Sequence, residues 1–495
     1  MKILNFIVAG ACFTSLALAQ GPRYTVTDLG PGNSPFSQSA FVNNNGFVAG
    51  VAVAGDGTQH SLLWYEGISG DIGGLGGPNS GAGGVNNFGL AMGGGDTTSK
   101  DPNNENFCGY GTGLQCLVYE WQNGVITALP TLGGTNANWG SINNRGEVAG
   151  FAENNTRDST CLTTPALNGT GPLVLDYLPV IWGPGKGEIR TLSLPPGDTV
   201  GVALFINDKG QAVGMTGTCA NTVIPPFAAA AHAVLWENGA VTDLGNLGGT
   251  SNPAVAGAGN AAFAINNRGQ VVGVSALAGS HTFHAFLWTW ETGMKNLGTL
   301  PGDLVSAGLG INDRGDVIGN SVAAPGPPMG MPRPFLWREG TMVDLNTLIP
   351  SDSPLHLLTA SSINDRGQIT GFGITGDGNI HAFLLTPAAS SSSSEAGTTA
   401  TSAIVTPTNV TTSDTSVVLD GSKSTSASGS LRYLYEAVPG GKQPTLLQTA
   451  TNPKATVQFV NGPGLYLVQL MVTDAAGTSA ESAVVMLNYQ PSSGS

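Results

Sequence analysis

Apolar stretches in this chain are short, and Gly, Asn, Asp and Pro interrupt them every few residues, the pattern of strands and turns rather than of helices. One motif recurs: an aliphatic residue, Asn, two polar residues, Gly, and then an apolar run. Its copies start at Val42-Asn43, Val85-Asn86, Ile142-Asn143, Ile206-Asn207, Ile265-Asn266, Ile311-Asn312 and Ile363-Asn364. Asn-x-x-Gly between apolar runs predicts a hairpin, because Gly accepts the positive φ of a tight turn and Asn hydrogen-bonds its own backbone. Each copy is followed by an aromatic-ended strand, as in Leu62-Leu63-Trp64, Val234-Leu235-Trp236 and Phe335-Leu336-Trp337. A shorter strand near Asp-Leu-Gly closes the unit, as at Asp243-Leu244-Gly245. Every unit therefore reads as four antiparallel strands.

Seven units at a mean period of about 53 residues match the spacing of four-stranded propeller blades better than the short turns of a solenoid. Four residues before each repeated Asn stand Ser39, Ala82, Trp139, Ala203, Ala262, Gly308 and Ala360, small in every copy except Trp139. Small side chains suit an innermost strand, where blades taper toward a central channel, and Trp139 is expected to plug that channel. The last unit ends at Phe383-Leu384-Leu385 without its closing strand, while one unpaired copy, Tyr24 to Gly30, lies upstream of the first unit. The expected fold is therefore all-β: a seven-bladed β-propeller over residues 20–387, its last blade completed by the amino-terminal strand.

The segments His232-Ala233-Val234-Leu235-Trp236, His284-Ala285-Phe286-Leu287-Trp288 and His381-Ala382-Phe383-Leu384-Leu385 resemble the HAF family of probable extracellular repeats over about residues 22–387. Units two and three depart from that start with Cys116-Leu117-Val118 and Leu178-Pro179-Val180. The resemblance implies a secreted bacterial repeat protein and transfers no catalytic residue. A Ser/Thr-rich linker, 388–403, precedes alternating strands over 404–489 that predict a β-sandwich. This region resembles a PKD-type, immunoglobulin-like domain, with Glu436-Ala437-Val438-Pro439-Gly440-Gly441 where that family has an Asp-rich stretch. Such modules act as spacers or contact domains. Residues 490–495 are read as a disordered tail.

Composition narrows the functional classes. Asp, Glu, Lys and Arg make up 10% of the chain and the net charge is −14, the wrong sign for neutralising phosphates, so nucleic acid is excluded as a partner. Residues 1–19 carry Lys2, an apolar run and a small-x-small site ending at Ala19, which predicts a cleaved signal peptide. The run is too short to span a bilayer and no second one follows. Export to the extracellular space or periplasm makes disulfides expected of Cys108, Cys116, Cys161 and Cys219. Of three possible pairings, Cys108 with Cys116 and Cys161 with Cys219 is the expected one.

No residue stands out as catalytic, cofactor-binding or metal-ligating. His60, His232, His284 and His381 occupy one repeated slot, and a residue repeated from unit to unit solves a local bonding problem rather than building a single reactive centre. One asymmetry remains. The connection after the second strand is long in unit two (Gly93 to Trp121), unit three (Gly150 to Trp182) and unit four (Gly214 to Trp236), and the four cysteines lie in or beside these loops. Asp101, Glu105, Arg157 and Asp158 are the candidate recognition residues there. The expected function is noncatalytic binding of an extracellular polysaccharide or protein. The alternative is a secreted lyase or hydrolase with its site at the channel mouth.

Overall fold

The computed structural model describes residues 23–491 except 31–33, 66–67, 123, 162–172, 223–229, 251–258, 280–281, 324–329, 389–400, 408, 427–428, 438–441, 476–478 and 483. The expected signal peptide, most of the linker and most of the tail lie outside the described residues. Among the described residues the chain is all-β apart from two 3-10 turns, Cys219–Asn221 and Leu345–Thr347, and no helix is long and apolar enough to cross a membrane.

Seven four-stranded antiparallel sheets span the repeats, and none closes on itself. Unit four is representative, with strands Val200–Ile206, Ala212–Gly217, His232–Glu237 and Ala240–Asp243 in sequential order. The sheet of unit seven takes Leu355–Ile363, Ile369–Thr375 and Ile380–Pro387 from its own repeat, and Tyr24–Asp28 as its fourth strand. That strand pairs antiparallel from Tyr24 opposite Pro387 to Asp28 opposite Phe383. The third-strand aromatic slot is buried in all seven units by Trp64, Trp121, Trp182, Trp236, Trp288, Trp337 and Leu385.

The repeated asparagine explains the local chain path and the order of the units together. In unit four Asn207 Oδ1 accepts from the Lys209 and Gln211 amides, both at 3.0 Å, which fixes the hairpin. Its Nδ2 donates to the Asn266 carbonyl of unit five at 2.9 Å. The same bond runs from Asn43 to Asn86, Asn143, Asn207, Asn266, Asn312 and Asn364, and from Asn364 back to the Asn43 carbonyl, at 2.8–3.2 Å. These amides are buried, so each bond is made in a medium where leaving it unmade costs about 1–3 kcal/mol.

A second device recurs that the repeat pattern marks only as a regularly placed glycine. In every unit the pairing of the first and second strands shifts register, as between Ala203 and Phe205 or Ala262 and Ala264. Each irregularity turns a first-strand carbonyl onto the second strand. The residue beneath is Gly50, Gly93, Gly150, Gly214, Gly273, Gly319 or Gly371, and a Cβ there would run into that oxygen. Trp139 uses the same freedom differently. Its ring lies where side chains at Gly83 and Gly94 of unit two would stand, so it fills a neighbouring unit as well as lining a cavity.

The carboxy-terminal region forms a second core around Leu419, Tyr435, Val457, Tyr466, Val468, Leu470 and Leu487, between a five-stranded and a three-stranded sheet. Its strand Gly464–Thr473 is buried on both faces. Tyr466, Val468 and Leu470 face its own core, while Leu465 and Leu467 join Val484 and Met486 in a cluster with Phe47, Leu63, Tyr65 and Trp121 of units one and two. Tyr65 Oη also accepts the Val484 amide at 3.0 Å. The sandwich therefore docks on the repeats.

Gly273→Ala is expected to lower stability by about 2–4 kcal/mol, whereas Gly376→Ala, with no neighbour within 4 Å, changes it by less than about 0.5 kcal/mol. Chemical denaturation of the two variants checks the contrast.

Candidate functional site

The residue after each repeated Asn forms an inner rim of Asn44, Asn87, Asn144, Asp208, Asn267, Asp313 and Asp365. The Oδ1 atom of each accepts the backbone amide of the preceding unit at 2.7–3.0 Å, again returning to its start through Asp365 N to Asn44 Oδ1. Beneath this rim lies a cavity of about 510 Å3 lined by first-strand side chains, Phe41, Trp139, Phe205, Phe263 and Leu309 among them. The next position out is exposed and carries Asn45, Phe88, Arg145, Lys209, Arg268, Arg314 and Arg366. From Asn to the residue four further on, the seven turns hold five basic and five acidic residues, so this face is balanced although the chain is strongly acidic.

The repeated histidines do not converge. His60 pairs with Asp71 at 2.8 Å, His232 with Asp198 at 2.9 Å and His381 with Asp28 at 3.0 Å, while His284 meets Asn296 Oδ1 at 3.0 Å. Unit six puts Arg333 in this slot, against Asp303 at 2.9 Å. Each partner lies in the same sheet or in the connection leading into its first strand, which fits a structural role. Among the described residues, Asp158, Cys161 and Asp176 are the group of ligand-type atoms close enough to hold an ion. Cys161 is bonded to Cys219, so two carboxyl groups remain and no metal centre is built.

At the opposite ends of the strands lie the long connections. Disulfide Cys108–Cys116 closes the loop of unit two, and Cys161–Cys219 ties the loop of unit three to unit four. Asp101 and Glu105 are buried and hold the loop rather than face solvent. Asp101 accepts from the Glu105 amide at 2.8 Å and the Thr135 hydroxyl at 3.0 Å. Glu105 Oε1 accepts the Val174 and Leu175 amides of unit three. Arg157 is exposed and donates to Asn103 at 2.7 Å. Asp158 is half-buried and accepts from the Thr160 amide and hydroxyl, both at 2.7 Å.

Two partners are not visible in the sequence, because they lie 48 and 18 residues further along and share no spacing with the motif. Glu153, fully buried, accepts the Asn136 amide at 2.8 Å, while its Oε1, like Glu105 Oε2, is buried with no hydrogen-bond partner among the described residues. Burial and then the Glu105 charge push Glu153 up to about 8, and burial raises Glu105 as well. Asp176 lies beside Asp158, their ligand atoms within 4.8 Å, and burial followed by the Asp158 charge pushes it up to about 6. For Asp158 burial acts upward, but the Thr160 hydrogen bonds outweigh it and hold the group below the ordinary range.

Residues 406–487 match a family model for PKD domains. The carboxy-terminal region is a PKD domain. A similar solved structure is the solution structure of the PKD domain from KIAA 1837 protein, 28% identical, covering 21% of this chain and 96% of that one, with a TM-score of 0.17. No curated protein matches the chain. Against units one and two, the PKD domain buries Leu465 and Leu467.

The Glu105–Glu153 pair sets a sign for pH. Unfolded, Glu153 would titrate near 4.5; folded, it keeps its proton to about 8, so the folded state binds the extra proton between these values. Stability is therefore expected to decline as pH rises through that window, and Glu153→Gln to flatten the decline. Urea unfolding of both proteins at pH 5, 7 and 9 measures it.

Proposed function

We propose that this chain is a secreted, noncatalytic binding module: a seven-bladed β-propeller of HAF-type repeats, closed by its amino-terminal strand and carrying a docked PKD domain. Support for the architecture comes from seven equivalent sheets, the asparagine circuit that returns to its first member, and the pairing of Tyr24–Asp28 with Ile380–Pro387. Two disulfides support passage through an oxidising compartment.

One observation carries the functional reading. Seven units share one backbone plan, and their large differences gather in the disulfide-braced loops of units two, three and four, while the most perturbed carboxyl there, Glu153, and its neighbour Glu105 are sealed from any substrate. A rigid frame that varies mainly in one group of braced loops suits recognition of an extracellular glycan or protein. The rival reading, a lyase or hydrolase, draws on the Asp158–Asp176 pair, whose two carboxyls are driven in opposite directions near the surface.

Replacing the unit two to four loops with the short loop of unit five is expected to abolish retention on the polysaccharide or protein that the intact chain binds. New reducing or unsaturated sugar ends, present with the intact chain and lost in Asp176→Asn, would establish the enzyme instead.

A further inference from the structure

The seven turns at the cavity mouth share one backbone, so their side-chain differences point to use rather than to folding. Unit two departs most. At the exposed position where the other units place Asn, Lys or Arg, it carries Phe88, 59% exposed. Beside it Asn87 Oδ1 accepts the Asn44 amide at 2.9 Å, while Asn87 Nδ2 has no partner among the described residues. Further round the same rim, Asp313 Oδ2 accepts one amide, from Asn267 at 3.1 Å, and Asp365 Oδ2 accepts one, from Asn44 at 2.7 Å. Among the described residues neither carboxylate takes part in an ion pair within 4.0 Å, so both keep open lone pairs. Around the mouth, in units two, six and seven, stand an aromatic face, an amide donor and two strong acceptors above the apolar wall of Phe41, Trp139 and Phe205.

Three ligand classes can be weighed against this arrangement. A polyanion needs a net positive field, and five basic residues balanced by five acidic ones do not supply it. A wholly apolar molecule would strip water from the amide and carboxylate rim without replacing its hydrogen bonds. A sugar has C–H faces that pack on an aromatic ring and hydroxyls that both donate and accept, and a cavity of about 510 Å3 lies within the usual range for small-ligand sites. We propose that the cavity mouth binds the end of a neutral saccharide chain, with Phe88 stacking on a sugar face, Asn87 Nδ2 donating to a hydroxyl, and Asp313 and Asp365 accepting from hydroxyls. This rests on the binding-module reading but uses the strand ends opposite the disulfide-braced loops.

The test titrates the full chain with cellotetraose, maltotetraose, mannotetraose and xylotetraose, with tetragalacturonate as the acidic control, following saturation-transfer NMR and tryptophan fluorescence, since Trp139 lines the cavity. At least one neutral tetrasaccharide binds, more tightly than tetragalacturonate. Phe88→Ala and Asp365→Asn each weaken it about tenfold with the unfolding temperature unchanged. Asn stands at the inner-rim position of four units already, so the second change keeps the Oδ1 bond to the Asp313 amide and gives up only the side-chain bond from Asn44. Absence of binding by every neutral sugar, preference for the acidic one, or unaltered affinity in both variants overturns the assignment. If affinity survives both variants but is lost on exchanging the unit two to four loops, the mouth assignment fails and the binding module stands. If no saccharide binds and the loop exchange alters no retention on polysaccharide or protein, both fail.

Discussion

A side-chain amide donated from each repeat to the backbone of the next is the constraint on which the rest of the molecule depends. Asn207 holds its own hairpin through Oδ1 and its neighbour through Nδ2, so one residue type couples turn geometry to the spacing of the sheets. Seven such donors in series return to Asn43, and no member has a free end. Because these groups are buried, losing one donor strands a carbonyl in the next repeat as well as loosening its own turn. Instability at one position is therefore felt in two units.

Local chemistry with a period can be read directly. The hairpins at Asn-x-x-Gly and the buried tryptophans of the third strands follow from residue type and spacing, the cysteine pairing is one of three the sequence allows, and the strand Tyr24–Asp28 is identifiable because the last repeat lacks one. What cannot be read depends on distance in space. The carbonyl pressing on Gly273 comes from a register shift of the facing strand, which leaves no mark beyond the glycine itself. In the sequence Glu105 is a loop acid available to a partner, yet its Oε1 is taken by the amides of Val174 and Leu175 and its Oε2 is buried out of reach of solvent. The run Leu465 to Val472 reads as one alternating strand face, whereas both faces are covered, one by the domain's own core and one by units one and two.

The few charges are distributed by burial. With charged residues at 10% of the chain, most frame contacts are apolar or amide-based and insensitive to salt or pH. The exceptions concentrate at the long loops, where two carboxyl pairs sit side by side against the low-dielectric interior. The opposite strand ends carry charges of both signs in equal number, the bases exposed and the acids half-buried or buried beneath them. One protein thus has an end whose electrostatics respond to protons and an end that stays neutral in sum.

Tyr24–Asp28 meets its partner strand more than 350 residues later in the chain. During synthesis that first strand must wait, unpaired, until Pro387 has left the ribosome, while six sheets upstream can each form from contiguous sequence. Completion of the seventh sheet is thus the most non-local event in folding, and by the link between contact order and rate it is the natural slow step. Until it happens, the edge of Ile380–Pro387 is open to the amino-terminal strand of a second copy, which makes strand exchange between molecules the characteristic assembly error of this chain.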